Sequence, residues 1–145
     1  MKLLSTVTAA LSLTFLSYAA LTLSSAVAIA DPSGEWKVAD GTATVRIRKC
    51  GTAFCGTIAS TITPPGKDEK NPDPSKRNRS VLGIEVLSNL KPAGNNLWTG
   101  TTYNAEDGQT YSAKMSLESE QALKIEGCVQ GGGSLCGHET WSRVR

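Results

Sequence analysis

From Gly34 onward the chain repeats one kind of segment, a short run alternating apolar and polar residues, closed by a turn of Gly, Asn, Asp or Pro. The cleanest run covers residues 109–117. There Tyr111, Ala113, Met115 and Leu117 alternate with Thr110, Ser112, Lys114 and Ser116. A period of two puts one set on each face of a strand, and no stretch of this part carries a helical period. Strands are expected at 34–38, 42–50, 55–63, 82–90, 97–103, 109–117, 122–128 and 136–144, with Asp40-Gly41, Asn95-Asn96 and Asp107-Gly108 as turn signals. A meander of this kind has to bury one apolar face, and either a sandwich or a closed barrel does so; closure also removes the two exposed edges. The ends favour closure. Gly34-Glu35-Trp36 opens the first strand and Trp141-Ser142-Arg143 closes the last, so that Arg143 can lie over the Trp36 ring once the two strands are neighbours. The expected fold is all-β, an eight-stranded antiparallel up-and-down barrel.

Residues 1–30 read differently. Met1-Lys2 precedes an apolar run over 7–23, and Ala28-Ile29-Ala30 has the small-residue spacing of a cleavage site. A membrane anchor is the alternative, but Ser, Thr and Ala dilute the run and no cation follows it, so a signal peptide is expected. One domain then spans residues 31–145, periplasmic or secreted and no longer membrane-bound. With 15 basic and 13 acidic residues in the full sequence there is no charge excess to attract nucleic acid.

In an oxidising compartment Cys50, Cys55, Cys128 and Cys136 are expected as disulfides, for which three pairings exist. Strand phase puts Cys50 and Cys55 on the outer faces of two strands joined by a turn at 51–54, and Cys128 and Cys136 likewise flank a Gly-rich turn. Two local hairpin bridges follow. The spacings C-x4-C and C-x7-C, with His138 as the only histidine, do not suit a zinc site, and neither metal nor cofactor is expected.

The inward positions are nearly all apolar: Trp36, Val38, Val45, Ile47, Ile58, Ile62, Leu82, Ile84, Val86, Met115, Leu117, Leu123, Ile125 and Trp141, with Tyr103 and Tyr111 as two phenols. They either fill the barrel or leave room for one small ligand. The connection over residues 64–80, PPGKDEKNPDPSKRNRS, has four of the six prolines and no aliphatic residue; its length marks it as functional or mobile. Candidate ligand contacts are Val45, Ile84, Tyr103, Tyr111 and Met115 in the interior and Asp68, Asn71 and Arg79 at the mouth. Trp36, Trp141 and Arg143 are read as structural. No Gly-x-Ser-x-Gly elbow or histidine-based site is present, so no enzyme is expected.

Asp31 to Trp36, Cys50-Gly51, Cys55-Gly56, Asp68 with Asn71-Pro72, Gly83-Ile84, Gly108 with Tyr111, and Thr140 to Arg143 together resemble the secreted bacterial domain of unknown function 2147. The resemblance spans nearly all of 31–145 and implies a small extracytoplasmic barrel similar to lipocalins, without implying an activity. Two functions stay open: a barrel binding a small apolar or amphipathic ligand under a 64–80 lid, and a filled-core module binding an envelope protein through its loops and the Trp98 face.

Overall fold

The computed structural model describes residues 30–131 and 135–144. The expected signal peptide, up to Ile29, lies outside the described residues. Eight strands follow one another: β1 Gly34–Lys37, β2 Ala43–Cys50, β3 Ala53–Thr61, β4 Glu85–Gly94, β5 Leu97–Asn104, β6 Gln109–Ser119, β7 Ala122–Cys128 and β8 Cys136–Arg143. Each pairs antiparallel with the next, and β1 pairs with β8 through Trp36 opposite Arg143 and Lys37 opposite Ser142, closing the barrel. The only helical piece described is a 3-10 turn, Pro74–Lys76, capped by the Asp73 carboxylate on the Ser75 N–H. Among the described residues no helix is long and apolar enough to cross a membrane.

Alternation builds the core. Trp36 faces Val45, Trp98 faces Met115, and Leu123 faces both Leu117 and Trp141. Trp36, Ile47, Leu87, Leu90, Met115 and Leu123 are shielded from solvent. The middle of the barrel is filled: a methyl group built on Gly56 would lie 3.0 Å from Val45 Cγ1 and 3.1 Å from Leu87 Cβ. At Gly56 there is thus no room for even one methyl group without the neighbours giving way.

β4 departs from the expected pattern. Leu87 and Leu90 are both buried although three residues apart, because β4 bulges between them, with Asn89 at φ +52°. The strand also begins at Glu85 rather than 82, since the chain is still turning at Gly83 (φ +85°). Leu82 is therefore 45% exposed, not inward. Ile62 is 74% exposed for a similar reason, lying beyond the last residue of β3. Neither belongs to the core.

Both disulfides form. Cys128 and Cys136 are directly opposite, with Cα atoms 4.0 Å apart. Cys50 and Cys55 are 5.9 Å apart and diagonal rather than opposite, because the turn is the two residues Gly51-Thr52 and not the four of 51–54. Gly51, at φ +66°, permits this tight reversal.

Candidate functional site

An up-and-down barrel sorts its connections by end. The chain entry, the β2–β3, β4–β5 and β6–β7 turns and the end of β8 share one end; the β1–β2, β3–β4, β5–β6 and β7–β8 connections share the other. The two ends differ in chemistry.

At the second end the 64–80 connection is docked rather than loose. Asp68 has no exposed surface. Its Oδ2 accepts from Arg79 Nε (3.0 Å), Arg79 Nη2 (2.8 Å) and Asn71 Nδ2 (2.7 Å), and its Oδ1 from the Tyr103 hydroxyl at 2.5 Å. Asn71 Oδ1 in turn accepts the Asp73 N–H, and Arg77 Nε donates to the Asn71 carbonyl. Burial pushes the Asp68 carboxyl up, but the hydrogen bonds from Tyr103, Asn71 and Arg79 outweigh it and hold the group below its ordinary value. Burial, and then the bond to Asp68, raise the Tyr103 phenol. The loop also presses on the β5–β6 turn: a methyl on Gly108 would overlap the Lys70 carbonyl oxygen. In that turn the Tyr111 hydroxyl donates to Asp107 Oδ2 at 2.5 Å, which lowers the Asp107 carboxyl and raises the phenol.

Four of the residues expected at a ligand site, Asp68, Asn71, Arg79 and Tyr103, are thus brought together, and their polar groups are engaged with one another. Tyr103 is not an inward residue. It pairs with Thr110, while the core partners on β5 and β6 are Trp98 with Met115, Gly100 with Ala113 and Thr102 with Tyr111. Tyr111 does lie on the core-facing set and is half-buried. Val45 and Met115 are fully packed in the core cluster, and Ile84 is buried beside the docked loop where its carbonyl accepts the Ile58 N–H.

The first end has two halves. One is shut. The Arg143 guanidinium lies 4.2 Å from the Trp36 ring centroid, and donates to the carbonyls of Glu120 (2.6 Å), Ser33 (2.6 Å) and Asp31 (3.3 Å). Trp36 Nε1 donates to the Pro32 carbonyl at 2.9 Å. One cation therefore ties the chain entry and the β6–β7 turn onto a buried indole.

The other half is open. Between the β2–β3 and β4–β5 turns lies a groove of about 740 Å³, walled by Ala53, Phe54, Pro92 and Trp98 and rimmed by Asp31, Lys49, Asn95 and Asn96. Phe54 and Trp98 meet edge to face, centroids 5.8 Å apart at 82°. The register that makes the wall is simple: Lys49 and Leu90 are both opposite Phe54, and Pro92 is opposite Trp98. None of these residues was expected at a small-ligand site; Trp98, whose face was expected to bind a protein partner, is buried. Lys49 was nevertheless visible, since it continues the 43, 45, 47 phase of β2. A cation on the inward phase at a strand end marks a barrel mouth.

A closed antiparallel up-and-down barrel of eight strands is the architecture of the lipocalin-like barrels. Protein HP1028 from the human pathogen Helicobacter pylori, described as belonging to the lipocalin family, is similar at a TM-score of 0.72 and 25% identity, over 79% of this chain and 84% of that one. Residues 34–143 match the model of a family described as an uncharacterized protein conserved in bacteria, domain of unknown function 2147. The chain belongs to that family. No protein of curated function matches it.

Proposed function

We propose that this is an extracytoplasmic, non-enzymatic barrel that binds one small apolar or amphipathic molecule, and that the binding site is the groove between the β2–β3 and β4–β5 turns. The observation that carries this reading is the wall itself. Two aromatic rings and a proline line a concavity of about 740 Å³, within the size range of small-molecule sites, beside a few polar groups that could orient a ligand. Lipocalin likeness supports binding only by analogy of fold. The two disulfides support a compartment outside the cytoplasm, as does the signal peptide read from residues 1–30.

Fluorescence of the neutral probe N-phenyl-1-naphthylamine tests it. A saturable, one-to-one enhancement that weakens in Phe54→Leu is expected. No saturable response in a folded protein would sink the proposal. That result would favour the second reading, a module that binds a protein partner around a solid core, which the packing at Gly56 supports.

A further inference from the structure

The groove's rim carries more information than its wall. Lys49 is exposed, stands on the inward phase directly opposite Phe54, and has no ion pair among the described residues. Two outward cations do form ion pairs, Arg46 with Glu35 and Lys114 with Glu126 at 3.4 Å. Asp31 is the only acid among the groove's lining residues. Its Oδ1 is occupied by the Ser33 N–H at 2.8 Å, and both Lys49 and the Arg143 guanidinium lie near enough to act on it electrostatically, without an ion pair to Lys49 closing among the described residues. The remaining rim groups, Asn95 and Asn96, are neutral amides that can donate. A single ammonium, facing Asp31 across the rim but closing no ion pair with it, thus stands beside an aromatic trough, at the end of the barrel that Trp36 and Arg143 otherwise seal.

We infer that the groove selects a free single-chain amphiphile with an anionic head, such as a fatty carboxylate, its tail lying along Phe54, Pro92 and Trp98 and its head at Lys49. This rests on the groove being the binding site. It adds the charge of the ligand and the residue that reads it. The complementarity is of the kind that gives a polar contact its orienting role at an apolar site. A free molecule fits better than a bilayer lipid: the groove is bounded on three sides by the chain entry and two hairpin turns, and the rim offers one unpaired cation rather than the basic cluster that holds a protein on an anionic membrane.

The test is calorimetric titration of the protein with laurate, dodecyltrimethylammonium and dodecyl maltoside, each below its micellar concentration, and flotation with phosphatidylglycerol vesicles. Laurate should bind tightest. In Lys49→Gln its affinity should fall roughly threefold to tenfold, the range for a charge-assisted contact at a partly solvated rim, while dodecyl maltoside is unchanged and dodecyltrimethylammonium, relieved of a like charge, binds no more weakly. Equal affinity for the three heads, or a laurate preference that survives Lys49→Gln, would overturn the inference while leaving the groove as the site. Flotation with vesicles without laurate binding would overturn it in favour of a membrane surface. Binding of none of the probes would instead remove the groove reading itself.

Discussion

The two ends of this barrel handle polar groups in opposite ways. Where the 64–80 connection docks, Asp68, Asn71, Arg79 and Tyr103 satisfy one another, and the carboxylate has no surface left. At the chain-entry end, Lys49 stands without an ion pair above Phe54 and Trp98. A buried, fully bonded network fixes a loop; an unpaired charge beside an apolar trough has something left to bind.

The largest expected effect tests the sealed half of the entry end. Trp36→Ala removes a fully buried indole, its bond to Pro32 and the platform under Arg143. Loss of about 3–5 kcal/mol of unfolding free energy is expected in urea denaturation. A smaller loss, with probe binding abolished, would make Trp36 part of the site and blur the contrast between the two halves.

Next comes the docked loop. Asp68→Asn keeps the shape but removes the charge that faces Arg79. It also replaces one acceptor oxygen by a donor, at best facing the Tyr103 hydroxyl, which then has to give up its own donation. The cost should be about 2–3 kcal/mol, below that of a fully buried pair because the Arg79 side chain is 41% exposed and can rehydrate. Trypsin should then cut at Lys67, Lys70 or Lys76 well before the barrel unfolds. Cleavage rates that instead track global unfolding would mean that loop and barrel are one cooperative unit.

Strand order, closure, both disulfides and the Trp36–Arg143 contact could be argued from residues alone, because alternation and turn chemistry are local and the ends have to meet. What could not be read was long-range or irregular. The β4 bulge at Asn89 shifts the core from a period of two to a spacing of three, so Leu87 and Leu90 replace Leu82 in the core. Tyr103 was counted inward as one of two phenols, but β5 takes its phase from Trp98 opposite Met115, which sends the phenol to the loop. The groove needs two hairpin turns and the chain entry side by side, and only the closed barrel brings them there.

Acidity separates the two ends without any mutation. The Asp68 carboxyl is held below its ordinary 3.8 in the fold, so its contribution is complete above that value and is lost as pH falls through the lowered one. The Tyr103 phenol is raised above 10.0, so its contribution is complete below that and is lost as pH rises through the raised value. Loop docking should be strongest between these limits. Hydrogen exchange of the Asp68 and Asn71 amides, bonded to the Arg79 and Asp68 carbonyls, reports it directly. Asp73 and Asp107 are lowered as well, so Asp68→Asn should reduce the acid limb of the profile rather than abolish it. An acid limb unchanged by that substitution would place the sensitivity in the flanking turns.

The smallest expected change in stability is at Lys49, and its smallness is informative. A rim cation with no ion pair stabilises little, so Lys49→Gln should leave the urea midpoint within about 0.5 kcal/mol of the parent. Lys49 and Arg143 both act on Asp31, so the lost attraction to Asp31 and the relieved repulsion between the two cations should largely offset each other. A gain in stability together with a loss of laurate affinity would show a charge kept at a cost to the fold. A loss of stability above 1 kcal/mol would mean that the Lys49 stem packs on Phe54 as part of the wall. The entry end would then resemble the docked end, with its polar residue used to hold structure, and the contrast between the two would disappear.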